Sequence, residues 1–181
     1  MSDLHNLTGE NPDQLLVLTD RSGNQIGTAT RKDCHRNKGR PHLAFLAFIL
    51  DRDKNIILAR RSRSKSLWPS RWDATVVSHI LPGESPAAAA SRRGREEMGV
   101  SVRFRDIGAF YYFKKFNGSS ENEYCHVLTG TTDRDVESNP VEIDSVKKIK
   151  FADLLKEIKI SPDIFTPWLK IALEKTSLPS V

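Results

Sequence analysis

Short apolar runs alternate with polar breaks along most of the chain, and most of the runs are too short for helices. Leu15 to Thr19 and Ile26 to Thr30 flank the polar stretch Asp20-Arg21-Ser22-Gly23-Asn24, which predicts a hairpin. His42 to Leu50 is almost wholly apolar, as expected of a strand buried on both faces, and Ile56 to Arg60 follows it after a turn at Asp51 to Asn55. Ala74 to Ile80 is a further β-branched run. Ile107 to Phe113 and Glu123 to Leu128 lie on either side of a polar turn at Asn117-Gly118-Ser119-Ser120, and Ile143 to Phe151 reads as a last strand. Helical spacing is confined to three places. Two are Phe151 to Ile158 and Pro167 to Lys175, the latter with Thr166 as cap and Pro167 at its first position.

The third helix is the most marked. Ser85 is a good N-cap, Pro86 suits the first turn, and Gly99 is a good C-terminal stop. Between them the residues are strong helix formers broken only by Gly94. Arg92 and Glu96 lie four apart, as do Arg93 and Glu97, so each pair shares a face, and Glu84 precedes the helix closely enough to fold back to it. Clustered carboxylates of this kind either pair with the arginines or bind a hard divalent cation through oxygen. Strands interleaved with few helices predict an α/β fold, a mixed sheet sandwiched between helices. No repeat, low-complexity tract or linker interrupts it. The reading is one domain over residues 13–177, with loose ends at 1–12 and 178–181.

Composition narrows the class. A chain of 181 residues fits one domain with a sizeable core, and 38% hydrophobic residues is ordinary for a soluble protein. No apolar run approaches the roughly 20 residues that span a bilayer, which argues against a membrane partner. Met1-Ser2-Asp3-Leu4-His5 shows neither a basic n-region nor an apolar h-region, and Cys34 and Cys125 are the only thiols. Both features point to a reducing, cytoplasmic setting rather than secretion. The net charge of +5 is modest, with no long basic block and no aromatic interleaving of the kind an RNA groove uses. Arg31, Arg60, Arg61, Lys65 and Arg93 instead sit beside the motifs, which suits a small polyanion such as a diphosphate.

A second constellation is built on histidine. His35, His42 and His79 are far apart in sequence, and Glu121 and Glu123 alternate on one strand, so both face one side of a sheet. Two same-face carboxylates repel unless something neutralises them, and a divalent cation shared with imidazoles would. Each histidine taken singly reads more naturally as a packing or surface residue.

The helix with its approach resembles the Nudix box, whose pattern is Gly, five residues, Glu, seven residues, Arg-Glu-apolar, one residue, Glu-Glu, one residue, Gly-apolar. Glu84, Arg92, Glu96, Glu97, Gly99 and Val100 match it; Ser78, Arg93 and Gly94 depart from it. With His42-Leu43-Ala44-Phe45, the run Arg60 to Trp72, Ser78-His79, Glu121-Asn122-Glu123 and Phe165-Thr166-Pro167-Trp168, the chain resembles the isopentenyl-diphosphate isomerase branch of the Nudix superfamily from about Leu15 to about Lys175.

The resemblance implies a Nudix fold and a site in which His35, His42, His79, Glu121 and Glu123 bind one divalent metal. Glu97, with Glu84 nearby, would help to bind a metal bridged to substrate phosphates. Mg²⁺ and Mn²⁺ are the implied ions, with another divalent metal open at the histidine site. Arg61, Lys65 and Arg93 fall at diphosphate-binding positions, and Arg31 at one where lysine is usual. Arg offers phosphate a bidentate fork and Lys a point charge. Trp168 falls where the isomerases have an aromatic wall, whose face can stabilise a cationic carbon; a core Trp on an amphipathic helix is the plainer reading.

One departure bears on the reaction. Isomerases of this branch carry a cysteine just before the residues matched by Ser78 and His79, and it works across the alkene from the glutamate matched by Glu123. Here that position is Val77, which has no ionisable proton. The assisting tyrosine aligns with Phe113, or with Tyr111 or Tyr112 in a shifted register. Glu96 restores the paired glutamates of hydrolytic Nudix enzymes. The expectation is a metal-dependent hydrolase of a small organic or nucleoside diphosphate, with Glu84, Glu96 and Glu97 on metal and Glu123 or Glu96 as base. The alternatives are an isomerase with a rerouted proton step and a non-catalytic binder of diphosphates or nucleotides. Glu84, Glu96 and Glu97 are expected to face one cleft with Arg61, Lys65 and Arg93, with Glu97 partly exposed.

Overall fold

The computed structural model describes residues 10–178. The bulk of the predicted loose ends, 1–9 and 179–181, lies outside them. Residues 10–12 are tied down: Pro12 O accepts from Lys32 N at 3.0 Å.

The strand and helix runs come out largely as read. The hairpin is β1 (Leu15–Thr19) and β2 (Gln25–Thr30). A five-residue helix follows, α1 (Arg31–His35), with Thr30 accepting from Asp33 N at 3.2 Å. It is too short to show a period, so the sequence pattern missed it. The apolar strand β3 (His42–Leu50) is buried throughout. Its register with β4 (Ile56–Arg61) covers only two residue pairs before the strands part.

The run from Ala74 to Ile80 is not one strand. It divides into β5 (Trp72–Asp73), paired with β4, and β6 (Val76–His79), paired with β3. Thr75 sits where β3 and β4 diverge. Its hydroxyl accepts from Ile49 N at 2.8 Å and donates to Ile57 O at 2.5 Å, which replaces ladder bonds lost at the fork.

The chain then enters α2 (Pro86–Met98), whose Ser85 cap accepts from Ala88 N at 3.2 Å and whose Gly99 has φ 66°, the left-handed stop. A long hairpin follows, β7 (Arg105–Phe116) and β8 (Ser119–Thr131), turning tightly at Asn117 and Gly118, both of positive φ. Last come β9 (Ile143–Ile149), α3 (Phe151–Ile160), a 3₁₀ turn at Pro162–Ile164, and α4 (Pro167–Lys175). Thr166 stands at the N-cap of α4 as the sequence suggested, but its hydroxyl makes no cap bond and donates instead to Asp73 Oδ1 at 2.9 Å.

The nine strands among the described residues belong to one mixed sheet. At its centre β3 runs parallel to β8 over nine residue pairs and antiparallel to β6 on its other side. Alternation along β3 divides the core. Ala44, Leu46, Phe48 and Leu50 pack with Trp168, Leu169 and Ala172 of α4 and Leu154 of α3. Leu43, Phe45, Ala47 and Ile49 pack with Ala89, Ala90 and Met98 of α2. The sheet is therefore covered by helices on both faces, as expected. No helix among the described residues is long and apolar enough to cross a membrane.

Candidate metal and diphosphate site

Sheet register assembles the histidine cluster. His42 opposes Glu123 across the parallel β3–β8 ladder, and Ala44 opposes both Cys125 on β8 and His79 on β6. Opposed residues share a face, so His42, His79 and Glu123 emerge on the α4 side of the sheet, with Glu121 two residues before Glu123. The short helix α1 brings His35 over the same place.

The five side chains are all buried, and each offers a ligand atom within 4.8 Å of the others. Backbone carbonyls aim two of the rings: His35 Nδ1 meets Arg31 O and His42 Nδ1 meets Arg40 O, both at 2.8 Å. The opposite nitrogens then point inward. His35 Nε2 lies 3.2 Å from Glu121 Oε2, and His42 Nε2 and His79 Nε2 lie 3.5 and 3.4 Å from Glu123 Oε1.

His35 Nε2, His42 Nε2 and Glu121 Oε2 are buried with no hydrogen-bond partner. Unsatisfied buried polar atoms are costly, and three converging on one point fit a cation ligated by them. Anchoring one ring nitrogen while leaving the other to ligate is how metal-binding histidines are held. Imidazoles mixed with carboxylates suit Mn²⁺ or another transition-type divalent ion. Burial pushes the His79 imidazole well below its ordinary pKa, helped by the Arg31 guanidinium. Burial alone would raise the Glu123 carboxyl, but the neighbouring His42 ring and the bond from Tyr112 outweigh it and hold it down.

A cavity of about 410 Å³, its open mouth included, borders this cluster. Arg31, Arg61, Lys65, Arg93 and Trp168 line it with His79, Glu121 and Glu123, so every residue expected to meet the substrate reaches one space. Their engagements differ. Arg31 Nη1 lies 2.9 Å from His79 Nδ1. Arg61 is built into the wall: it donates to Leu67 O and Trp68 O and pairs with Asp73 Oδ2 at 3.4 Å. Lys65 pairs with Glu142, and Arg93 reaches Glu142 Oε1 at 3.0 Å and Glu97 Oε1 at 2.7 Å.

The box glutamates do not share one orientation, which corrects the expectation. Only Glu97 turns to the sheet, where it lines a separate pocket of about 250 Å³ that shares Arg61, Lys65 and Val77 with the cavity, and it is 3% exposed, not partly exposed. Glu84 folds back onto Arg92 with bonds of 2.6 and 2.9 Å and accepts from Leu81 N. The Glu96 side chain is 46% exposed and pairs with Arg92 and Arg93. Neither Glu84 nor Glu96 lines the cavity. Successive helix positions are about 100° apart, so Glu96 and Glu97 cannot both face a sheet that buries only one stripe.

Arg93, where the box pattern has glutamate, places a guanidinium between two buried carboxylates. One is Glu97. The other, Glu142, just before β9 and 1% exposed, was missed because no periodic pattern marks it. Burial and Glu142 push the Glu97 carboxyl up against the pull of Arg93.

Trp168 is 2% exposed, and both Asp73 oxygens accept from its Nε1 at 2.9 Å. The Arg61 guanidinium stands 5.3 Å from its ring centre and Trp68 meets it edge-on at 5.1 Å, so it is at once a core residue and a cavity wall. Burial pushes the Asp73 carboxyl up from 3.8 to about 6, despite Arg61, Thr166, the Ala74 amide and Trp168. A carboxyl raised on folding favours the fold most below its unfolded value and loses that contribution as pH rises through the folded value. Between pH 4 and 7 the native state should thus lose roughly 2–3 kcal/mol through this group. Urea unfolding of Asp73→Asn should show a pH profile flatter by that amount; profiles that superimpose would contradict the assignment.

Val77 lines the cavity. It lies two residues before His79 on β6, and β6 and β8 flank β3 from opposite sides, which puts Val77 across from Glu123. Neither thiol substitutes for it. Cys34 and Cys125 are buried outside the cavity lining, and burial pushes both thiols up, Cys34 to about 11. Register settles which tyrosine approaches the site. Tyr112 opposes Glu123 and donates to its Oε2 at 2.5 Å, Tyr111 bonds Asn122, and Phe113 is 37% exposed.

A family model described as the NUDIX domain matches residues 40–169. The chain is 33% identical over 159 residues to the isopentenyl-diphosphate Delta-isomerase of Nocardia farcinica, covering 87% of this chain and 91% of that one. It is 33% identical over 181 residues to the protein of the same name from Haloarcula marismortui, covering 96% and 97%. Among solved structures, DR0079 from Deinococcus radiodurans matches with a TM-score of 0.72 at 22% identity, covering 89% of this chain and 98% of that one. A MutT NUDIX hydrolase from Burkholderia pseudomallei matches with a TM-score of 0.60 at 21% identity, covering 76% and 98%. At such identities these two structures establish the fold alone.

Proposed function

Because the chain belongs to the Nudix family and is an enzyme acting on diphosphates, we propose that it is a divalent-metal-dependent hydrolase of a small organic diphosphate, with prenyl and nucleoside diphosphates as the classes to try. One observation carries the choice of hydrolysis. The cavity holds ionisable proton-transfer groups on the β8 side, Glu123 with Tyr112, while the facing position on β6 is Val77. Moving a double bond by adding a proton on one face and removing one from the other needs a group on each side. Hydrolysis needs one base.

In this reading Arg31, Lys65 and Arg93 bind the diphosphate oxygens. His35, His42, His79, Glu121 and Glu123 would hold a cation, and Glu97 is the box glutamate placed to help hold a second ion of the Mg²⁺ type, in exchange for part of its pairing with Arg93. Bound divalent ions would offset charge on the phosphoryl oxygens and acidify a water. Water attacks phosphorus, the bridging P–O bond breaks, and the ionised Glu123 takes the water's proton. Glu96, the other candidate base, stands outside the cavity. Trp168 and Val77 give the organic group its apolar surface.

The test is a phosphate-release screen of prenyl and nucleoside diphosphates with Mg²⁺ or Mn²⁺, run beside an isomerisation assay. Phosphate release without conversion of isopentenyl to dimethylallyl diphosphate is expected, and Val77→Cys should leave phosphate release within about twofold because no proton moves at carbon. Efficient isomerisation by the wild-type protein would overturn the reading. The 2.5 Å Tyr112–Glu123 bond favours a second reading, in which that pair adds and removes protons on a single face. Tyr112→Phe would then abolish deuterium exchange into the substrate from D₂O; no exchange in the wild type would dismiss it.

A further inference from the structure

We propose that Arg31 couples the two halves of the site: it bonds His79 while the histidine cluster holds no cation, and turns onto the diphosphate once His79 ligates one. This rests on the reading above, in which the cluster binds a divalent cation and the basic rim a diphosphate.

The argument is one of donors and acceptors. Arg31 Nη1 lies 2.9 Å from His79 Nδ1. A guanidinium has only N–H donors, so Nδ1 must be the acceptor, and a neutral ring then carries its proton on Nε2. That nitrogen faces the cluster, 3.4 Å from Glu123 Oε1. A cation bound through Nε2 takes its lone pair and moves the ring proton to Nδ1. Two N–H groups then confront each other and the bond to Arg31 is lost. A cation bound through Nδ1 takes the acceptor itself. Either mode of ligation breaks the arginine contact.

The backbone is placed so that only the side chain of Arg31 need move. Arg31 opens α1, its amide donates to Gln14 O at 2.8 Å, and its carbonyl holds His35 Nδ1 at 2.8 Å. One residue thus aims one ligating imidazole through its backbone and restrains another through its side chain. The side chain already lines the cavity beside Lys65 and Arg93, with Glu10 Oε1 3.9 Å from its Nη2, so a guanidinium turned away from His79 meets a diphosphate without travelling far. In the cation-free protein the diphosphate competes with His79 for Arg31; in the loaded protein it does not. Linkage requires the converse, that bound diphosphate tightens the cation.

The test compares the wild type with Arg31→Met, which keeps the length of the side chain and removes its donors. Calorimetry measures inorganic phosphate binding to metal-free protein and to protein loaded with Zn²⁺ and freed of excess metal. The substitution should weaken phosphate roughly tenfold or more in the loaded protein and less than about threefold in the metal-free one. Equal losses in both states would overturn the coupling. Failure of the wild type to take up Zn²⁺, or to bind phosphate in either state, would instead refute the underlying site assignment.

Imidazole ¹⁵N spectra, with His79 assigned through His79→Asn, give a readout independent of phosphate. Zn²⁺ should abolish the acceptor signature of His79 Nδ1, and an unchanged Nδ1 would overturn the proposal. If Arg31→Met does not fold, Arg31→Lys, which keeps the charge and loses the fork, should show the same asymmetry with smaller size.

Discussion

Replacing His42 by Asn should abolish tight divalent-cation binding, lowering affinity by roughly 100-fold or more. His42 is wholly buried at the first residue of β3, its Nδ1 is fixed by Arg40 O, and its Nε2 points at Glu123 with no other partner. A shorter amide cannot put a nitrogen lone pair at that point, and four ligands are left where five converge. Stability gives the same result by another route. At 100 times its Kd a cation stabilises the folded protein by about 2.7 kcal/mol, so Mn²⁺ or Zn²⁺ should raise the wild-type Tm by roughly 5–10 °C. The variant should gain almost nothing. Equal cation-induced shifts in the two proteins would show that the ion binds elsewhere.

Replacing Arg93 by Met should be the most damaging change to the fold. The guanidinium lies between Glu97 and Glu142, 3% and 1% exposed, bonding to both within 3.0 Å. Removing the positive member of a buried ionic group leaves uncompensated charge and costs about 3–5 kcal/mol. In a domain of this size that lowers the Tm by roughly 10 °C.

The pH dependence follows in sign. Glu97 is already held above the ordinary carboxyl range by burial, and without Arg93 it rises further. A carboxyl raised on folding favours the fold least at high pH, so the loss should be larger at pH 8 than at pH 5. Adding Glu142→Gln to Arg93→Met should recover part of it, because one buried charge is easier to neutralise by protonation than two. A variant as stable as wild type at pH 8 would mean that Arg93 is dispensable to the fold and acts on substrate alone.

Much of the architecture was legible because it rests on local rules. Strands β1, β3 and β4 and helix α2 began within a residue of where alternation and capping placed them, since Ser85, Pro86 and Gly99 act on their own backbone. The period of two put Glu121 and Glu123 on one face before any partner strand was known. The division of Ala74 to Ile80 into β5 and β6 was not legible. It follows from β3 and β4 parting at Thr75, a property of the whole curled sheet rather than of that segment.

The site divides in the same way. The sequence by itself determined which groups are present, and its resemblance to the isomerases singled them out: three imidazoles, two same-face glutamates, four basic residues, one tryptophan, and Val77 at the position where the resemblance implies a thiol. These are matters of residue identity and spacing. Only the tertiary structure decided which of them act together. The β7–β8 register, set by the Asn117–Gly118 turn and a bulge between Asp106 and Gly108, delivered Tyr112 rather than Tyr111 or Phe113 to Glu123. The rotation of α2 against the sheet buried Glu97 and left Glu96 outside with Arg92 and Arg93, while the turn before the helix folded Glu84 onto Arg92. Packing brought Glu142 from an irregular stretch between Lys65 and Arg93, and Asp73 beneath Trp168. Periodicity reports which side of its own element a residue faces. What stands on the far side of that face, and so which charges meet, is set by contacts between residues distant in sequence, for which no local pattern exists.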